Sequence, residues 1–556
     1  MKGTRKKKQR SESELYGRQI VFLLIFSMLV RVLIAGGTEF GNDEGYYRIF
    51  GLFPSLSYFD HAPMVAWLVN LTTRLSEFFT DNDPFTLEFY VRLSSVIIGT
   101  INTYIIYRIA GRGERGFMAA LLLTGSIYAS IIVGTFIMPD TPLSLFWLLT
   151  LWIFFKILPP QPQTDSAEQD YSQRTLDKKM LLAGLTIGLA MLSKYSGAYL
   201  WAAALLYIVL YNRKWLHCRS LYVAMGVSLL VFSPVLIWNF QNDFISFTFH
   251  SGRLVADSSI NLLYFGREIF GGFFYNNPIN YILIICAIFA YIKYKNNYID
   301  KDKFRYLLVF SLPLILLFIF ISLTRETLPH WSGPGYFALI ILAAYWLKTH
   351  KKGLFYAWCS VAFTLLISVI GVVQINKGIV QELGIILRLE DAPLVEPTNQ
   401  DRELGRGDVT VDMYGWRQLC SKFSTVYYDD LSGGLIGENP VLISHRWDEA
   451  AHLDIYVAEP NKLKLVTVGD LYSTHFYEAI TQSRGGFDRN NLPDGAYLVV
   501  SSKYFDKNIP AFKILNIDPE KIDHTITIVR MHKCVVNFFL YRIAPTTSTI
   551  NRDRML

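Results

Sequence analysis

Two adjacent carboxylates, Asp43 and Glu44, stand in the string "NDEGYY" directly after the first long apolar run of the chain. A carboxylate at such a place can accept the proton of an incoming hydroxyl group and so act as a general base. The same pair could instead begin an interfacial helix, because negative charge is favoured at a helix N-terminus. The rest of the sequence decides which interpretation is preferred.

A lysine and an aspartate mark two other apolar stretches. Lys194 lies in "LSKYSGAY", and Asp140 lies in "MPDTP". A positioned ammonium group can stabilise the charge that develops on a phosphate leaving group. Lys194 could also snorkel toward the membrane surface, and Asp140 could cap the helix that follows it. Lipid phosphate is the phosphate found at membrane depth. A carboxylate base and the ammonium group of Lys194 together therefore suggest a transferase with a lipid-phosphate-linked donor.

Three loop histidines, His61, His250 and His330, lack the short spacing of metal ligands. No cofactor is therefore required by the sequence, and a divalent metal is the one cofactor that it leaves open. The five cysteines also form no metal-binding pattern. Cys420 and Cys534 could pair as a disulfide or remain free thiols.

The composition indicates a membrane protein. The chain of 556 residues is 52% hydrophobic and only 18% charged, whereas soluble domains carry roughly 25% charged residues. Its apolar runs are long enough for transmembrane helices and lack the alternation of a membrane β-barrel. We therefore predict a mainly α-helical protein with about eleven spans. The predicted spans are 19–37, 89–107, 117–136, 141–158, 180–193, 197–211, 221–238, 278–292, 306–323, 335–347 and 354–374.

The distribution of Lys and Arg predicts the orientation of these spans. The basic segment 1–18 is predicted to be cytoplasmic, and the first apolar run is interpreted as an uncleaved helix rather than a signal peptide. If two helices are separated at Lys194, the connections rich in Lys and Arg all fall on the inner side. One long helix there would invert every later span. The polar clusters then fall on the outer face, and the basic inner connections account for the net charge of +7, so no nucleic-acid partner is indicated. The inner connections are 108–116, 159–179, 212–219, 293–305 and 348–352.

The composition changes after residue 374. β-Branched and aromatic segments separated by Gly-containing turns predict strands, and the segment 445–458 predicts a helix. We therefore divide the chain into a cytoplasmic N-terminus (1–18), a transmembrane catalytic domain (19–377) and an extracytoplasmic soluble α/β domain (378–556). The predicted strands lie within 440–445, 462–468, 496–502 and 524–543.

The membrane part resembles the bacterial polyprenyl-phosphate-dependent glycosyltransferases of the GT-C class. These are family-39-like enzymes related to dolichyl-phosphate-mannose–protein mannosyltransferases and to the aminoarabinose transferase of lipid A. Five motifs carry the resemblance: "NDEGYY", "YFDHAPMVAWL", "MPDTPLSLFW", "LSKYSGAYL" and "SPVLIWNFQNDFISFTFH". The resemblance implies a GT-C helix bundle with interfacial helices in its first outer loop, located in the bacterial inner membrane.

The resemblance also implies roles for individual residues. Asp43 matches the catalytic base, with Glu44 as its supporting neighbour, and Lys194 with Tyr195 is expected to contact the donor phosphate. His61 falls where the aminoarabinose enzymes carry a phosphate-contacting lysine; an imidazole can still donate a hydrogen bond, but its charge depends on pH. Asp140 is expected to support the acceptor or the sugar. The other expected substrate contacts come from the polar clusters themselves and not from the resemblance: Asp60, Tyr46, Tyr47, Asn239 and His330.

The predicted function is inverting transfer of a sugar from a polyprenyl phosphate to an envelope glycolipid, glycan or protein at the outer membrane face. A protein O-mannosyltransferase acting on Ser/Thr is the alternative within the same class. A lipid-linked-sugar flippase would predict inverted repeats and polar groups at mid-membrane, which the sequence does not show. A non-catalytic scaffold would tolerate the loss of Asp43.

Overall fold

The structure is a computed structural model that describes residues 2–78, 86–160, 173–252, 259–294, 298–380 and 408–546. Part of the predicted inner connection 159–179, and residues 381–407 and 547–556 of the predicted C-terminal domain, lie outside these ranges.

The chain divides into two compact units. Unit 1 comprises residues 1–36 and 54–369, and unit 2 comprises 37–53 and 370–556. Gly37–Phe53, the segment that carries Asp43 and Glu44, therefore groups with the C-terminal part of the chain. The division drawn from composition had left this segment in the transmembrane domain, because composition records only neighbours along the chain.

Unit 1 is built from α-helices, and its packed interior is formed mainly by aliphatic and aromatic side chains. The first helix is Lys2–Gly36, and the last, Gly353–Lys377, runs into unit 2. In chain order the helices are α1 (Lys2–Gly36), α3 (Met64–Thr73), α4 (Leu87–Ala110), α5 (Glu114–Thr124), α6 (Asp140–Ile157), α7 (Gln173–Ser193), α8 (Tyr199–Tyr211), α9 (Arg219–Gln241), α10 (Ile245–Gly252), α11 (Leu262–Tyr275), α12 (Pro278–Tyr294), α13 (Lys301–Val309), α14 (Leu312–Ile321), α15 (Tyr336–Leu347) and α16 (Gly353–Lys377), while α2 (Asn42–Leu52) belongs to unit 2.

Six helical segments of the described chain are long and apolar enough to cross a membrane. A seventh is obtained if α11 and α12, which are bent by 95° at their junction, form one broken span. The predicted number of eleven spans is not confirmed. Other predicted spans correspond to shorter helices, such as α5 with 11 residues, α8 with 13 and α15 with 12. The six segments are Glu14–Gly36, Leu87–Ala110, Asp140–Ile157, Arg219–Gln241, Lys301–Ile321 and Gly353–Lys377.

Arg31, a charged residue within the first apolar run, is fully buried in unit 1. Its guanidinium group donates to the hydroxyls of Ser27 and Thr100, each at 3.4 Å, and to the carbonyl of Ser130 at 3.5 Å. A buried cation is tolerated only when its donors are satisfied. These neutral oxygens explain how an arginine can lie inside the first transmembrane helix.

Unit 2 contains a five-stranded mixed sheet with the order β2-β1-β3-β5-β4. β1 pairs in parallel with β2 and β3, whereas β5 pairs antiparallel with β3 and β4. All residues of β3 are buried, as expected for a central strand covered on both faces. Each strand lies within a segment predicted as β. The strands are β1 (Val441–Ser444), β2 (Lys464–Thr467), β3 (Ala496–Ser501), β4 (His524–Arg530) and β5 (Lys533–Ile543).

Besides α2, the described residues of unit 2 form five helices that accompany this sheet. The segment predicted as a helix forms α18, which continues into a π-helical turn at Asp454–Ala458. The helices are α17 (Trp416–Ser432), α18 (Trp447–Leu453), α19 (Leu471–Thr474), α20 (Tyr477–Ser483) and α21 (Ile509–Leu515). No disulfide joins Cys420 and Cys534 in the structure, so the disulfide alternative does not occur.

Candidate active site

Lys194 lies at a break between two helices of unit 1. α7 ends at Ser193, Lys194 is extended with φ −158°, and a 3₁₀ turn at Tyr195–Ala198 leads into α8. A Cβ atom at Gly197 would lie 2.5–2.7 Å from backbone atoms of Ala190 and Met191, so only glycine permits this close approach. The break confirms the predicted division of the apolar stretch into two helices. It also removes the lysine from the regular helix surface.

The Lys194 ammonium group forms an ion pair with Asp140, the first residue of α6. Lys194 Nζ lies 2.7 Å from Asp140 Oδ2, and the Tyr128 hydroxyl donates to Asp140 Oδ1 at 3.3 Å. The Asp140 side chain is only 2% exposed, whereas that of Lys194 is 25% exposed. Both carboxylate oxygens of Asp140 are thus engaged inside the protein, while the ammonium group keeps a face open to a further anion.

Two aromatic residues of the 3₁₀ segment Pro329–Gly335 belong to the same cluster. The Trp331 ring centroid lies 5.9 Å from Lys194 Nζ, at the edge of cation–π range. Burial lowers the pKa of His330 to about 4, with Asp140 opposing and Lys194 reinforcing the shift. His330 is therefore neutral at physiological pH and can exchange hydrogen bonds with a substrate, but it adds no positive charge.

A second polar cluster in unit 1 surrounds Tyr195. Its hydroxyl lies 2.9 Å from Ser246 Oγ and 3.5 Å from Ser57 Oγ, and its ring packs edge-on against His250. His250 Nε2 lies 3.1 Å from the Asp60 carbonyl oxygen. Tyr195 follows Lys194 directly in the chain, so this second cluster is built on the same helix break as the lysine.

Asp60 and His61 form a pair within this second cluster. Asp60 Oδ1 lies 3.1 Å from His61 Nδ1, and the Asp60 side chain is 4% exposed against 28% for His61. The buried carboxylate lies beside an imidazole that is partly open to solvent. This arrangement fits a histidine that offers its other ring nitrogen to a ligand.

Asp43 and Glu44 lie in the first turn of α2 in unit 2, and the structure distinguishes them. Glu44 is buried, and its Oε2 accepts a hydrogen bond of 3.1 Å from the backbone N–H of Gly41. This is the capping role that glutamate plays at the third residue of a helix. Asp43 is partly exposed. Glu44 therefore secures the start of the helix, and Asp43 is the more exposed carboxylate of the pair.

Tyr46 and Tyr47, predicted to contact substrate, are instead packed in the interior of unit 2. The Tyr46 ring lies 4.7 Å from that of Trp447, and its hydroxyl accepts from the backbone N–H of Phe476 at 2.9 Å. Tyr47 is 2% exposed and packs against Phe50. In this structure both rings anchor α2.

Asn239 lies near the end of α9, where its Nδ2 donates to the Val235 carbonyl of the same helix at 3.0 Å. Among the described residues, no hydrogen bond joins its side chain to the Lys194 or Tyr195 cluster. The described residues also contain no group of three or more His, Cys, Asp and Glu side chains placed to hold a metal ion. The divalent metal left open by the sequence stays an untested expectation.

The sequence analysis overlooked four residues of these clusters: Tyr128, Ser57, Ser246 and Trp331. Tyr128 begins a π-helical turn, Tyr128–Ile132, and such turns are frequent at functional sites. No spacing in the sequence marks that turn. Ser246, by contrast, lies within a quoted motif, Ser57 directly precedes another, and Trp331 follows His330, so their position in the sequence was the available signal.

Comparison with known proteins gives consistent matches. Residues 60–238 match the family model described as dolichyl-phosphate-mannose–protein mannosyltransferase. The lipid A galacturonosyltransferase RgtD of Rhizobium johnstonii is 25% identical over 57% of this chain and 63% of its own length. The chain therefore aligns with less than two thirds of that relative.

The structural comparison is more extensive. ArnT from Cupriavidus metallidurans in the apo state matches with a TM-score of 0.59 and 17% identity, covering 94% of this chain and 98% of that chain. The chain has the GT-C fold. ArnT bound to undecaprenyl phosphate also matches, with a TM-score of 0.57 and 17% identity over 93% and 97% of the two chains. The GT-C resemblance drawn from the motifs is thus confirmed for the fold, and the chain is a multi-pass membrane protein.

Proposed function

We propose that this GT-C protein is an inverting glycosyltransferase that moves a sugar from a polyprenyl phosphate to an envelope glycolipid. The observation that carries the proposal is the Lys194–Asp140 ion pair at a helix break in the apolar unit 1, with the ammonium group a quarter exposed. A charged pair among apolar helices is costly and marks function by default. A partly open ammonium group is suited to the phosphate of a lipid-linked donor.

The reaction would be a single displacement. The acceptor hydroxyl oxygen attacks the anomeric carbon, the bond from that carbon to the phosphate oxygen breaks, and polyprenyl phosphate leaves with the electron pair. Asp43 takes the hydroxyl proton as general base. Lys194, with His61 and Tyr195 in the neighbouring cluster, would stabilise the phosphate charge as it develops. Inversion follows because the nucleophile enters opposite the leaving group.

The substrate classes are supported by what is known of similar proteins. ArnT was solved with undecaprenyl phosphate, a polyprenyl phosphate, which supports this class of donor. RgtD is a lipid A galacturonosyltransferase, which supports a glycolipid acceptor. The matching family model describes protein mannosyltransferases, so transfer to protein Ser/Thr is the second candidate.

The decisive experiment reconstitutes the purified chain in liposomes with a panel of polyprenyl-phosphate sugars. Release of free polyprenyl phosphate is followed with lipid A-type acceptors in one arm and Ser/Thr peptides in the other. We expect turnover in the glycolipid arm. Turnover only with peptides would favour the second candidate, and no turnover with any donor, while a related enzyme is active in parallel, would refute the glycosyltransferase proposal.

We also propose that the protein lies in a bacterial inner membrane with unit 2 on the extracytoplasmic side. The basic inner connections support this orientation. A reporter that is active only outside the cytoplasm, fused after residue 556, tests it. Activity of a cytoplasmic reporter at the same position would contradict the orientation.

A further inference from the structure

The segment that precedes and begins α2 is held by hydrogen bonds to the C-terminal part of unit 2. The Glu39 carboxylate accepts from the backbone N–H groups of Trp416 at 2.9 Å and Arg417 at 3.1 Å, at the N-terminus of α17. The Phe40 N–H donates to the Tyr456 hydroxyl at 2.9 Å. The backbone is therefore fixed on the N-terminal side of Asp43.

Asn42, directly before Asp43, has its own partner in this network. Its Oδ1 lies 3.1 Å from Nε2 of His452 on α18. An amide oxygen only accepts hydrogen bonds, so Nε2 must carry the hydrogen and donate it. Gly45, one turn further along α2, lies against the same imidazole.

His452 is itself rigidly held. It is fully buried, and its ring stacks on that of Trp416 with centroids 4.2 Å apart and planes 2° from parallel. Burial lowers the pKa of His452 to about 3, although Asp448 opposes the shift, so the imidazole is neutral at physiological pH. Nδ1 is buried without a hydrogen-bond partner among the described residues. The bond to Asn42 is thus the hydrogen bond that this imidazole makes in the described chain.

We propose that His452 is a positioning residue that fixes Asp43 through Asn42. The bond holds the side chain of the residue next to Asp43 and thereby limits rotation of the first turn of α2. A base must lie within hydrogen-bond reach of the proton it takes, and displacement by about 1 Å can cost a hundredfold in rate. The inference rests on the proposed function, and it makes unit 2 the scaffold of the catalytic base.

A double-mutant cycle on the full-length reconstituted protein tests this role. We expect His452→Ala and Asn42→Ala each to lower kcat between about tenfold and a hundredfold, with the KM for the polyprenyl-phosphate sugar unchanged. Since both changes break one link, the double variant should be no slower than the slower single variant. His452→Gln, whose amide nitrogen can take the place of Nε2, should recover more kcat than the shorter His452→Asn.

His524→Ala provides the matched control. His524 is a second histidine of unit 2, bonded to Asp430 at 3.2 Å, and its loss should leave kcat within about twofold of wild type. If His452→Ala does not fold, the comparison of the Gln and Asn variants replaces it.

The outcomes separate the two proposals. An active wild type whose His452 variants keep full kcat, or whose two single effects multiply in the double variant, overturns the positioning role alone. Equal kcat values for the Gln and Asn variants do the same. A wild type that releases no polyprenyl phosphate overturns the proposed function and the positioning role with it.

Discussion

The two units build their candidate functional groups in different ways. In unit 1, Lys194 and Asp140 are oppositely charged groups that stabilise each other among apolar helices. In unit 2, the carboxylate Asp43 lies on a helix whose start is held by hydrogen bonds to backbone N–H groups and neutral side chains, and by a stacked imidazole. The first arrangement is suited to binding charge and the second to fixing geometry. Changes in unit 1 should therefore alter donor binding, and changes in unit 2 should alter the rate of the chemical step.

The largest effect is expected from the base itself. Asp43→Asn keeps the size of the side chain but removes the proton acceptor, so the rate of sugar transfer should fall by about 10²–10⁴-fold. Donor KM and the thermal unfolding midpoint should stay close to wild type. The measurement is polyprenyl phosphate release at saturating donor, with Glu44→Gln as comparison, because Glu44 serves the helix start and its change should act mainly on stability. A fully active Asp43→Asn enzyme would remove the base assignment.

The next largest effect should come from the ammonium group of unit 1. Lys194→Gln removes the positive charge expected at the phosphate and should lower kcat/KM by about 10²–10³-fold, with a clear rise in donor KM. Asp140→Asn keeps the ammonium group and should cost less. Titration of each variant with the polyprenyl-phosphate donor separates the effect on kcat from the effect on donor KM. If Lys194→Gln lowered kcat without changing donor KM, the contrast between the two units would be wrong.

Much of the fold could be predicted from the sequence, for definable reasons. The strands of unit 2 were located correctly, because β-branched runs such as Val441–Ser444 and Ala496–Ser501 are bounded by turn residues. The break at Lys194 was likewise found, because a charged residue inside an apolar run is conspicuous. The number of spans was not confirmed, because predicted spans such as 197–211 and 335–347 correspond to helices of 13 and 12 residues, and hydropathy does not fix the length of a helix.

The candidate site was predictable in its charged residues and not in their partners. Lys194 and Asp140, predicted separately, form one ion pair. Tyr128 was missed because its role depends on a π-helical turn, and His452 was missed because it lies 410 residues from Asn42. The assignment of Tyr46 as a substrate contact took no account of Phe476, whose backbone N–H donates a hydrogen bond to the tyrosine hydroxyl. Such partners are set by tertiary contacts that local patterns do not encode.

A buried ion pair outside α2 separates stability from catalysis in unit 2. Arg530 and Asp408 are both buried and lie 2.6 Å apart. Asp408→Ala leaves the guanidinium group without its carboxylate and should lower the free energy of unfolding by about 3–5 kcal/mol. The kcat of the protein that remains folded should be unchanged. Thermal unfolding measures the loss of stability, and turnover divided by the folded fraction gives the kcat of the folded protein. A loss of kcat in a sample that is fully folded would contradict the prediction.

The smallest effect is a pH dependence of stability that arises from His452. Its pKa is about 3 in the folded protein, against about 6.5 for an unperturbed histidine. Below pH 6.5 the unfolded chain binds a proton that the folded chain does not, so this stabilising contribution is complete above that pH and is lost as the pH falls toward 3. His452→Gln should reduce the slope of unfolding free energy against pH by up to about 1.4 kcal/mol per pH unit between pH 6.5 and 4. The unfolding midpoints of wild type and variant are compared at each pH, so that the contributions of the other histidines cancel in the difference. Identical slopes would mean that His452 titrates as an ordinary solvated histidine, and the neutral, geometry-fixing character assigned to unit 2 would then fail.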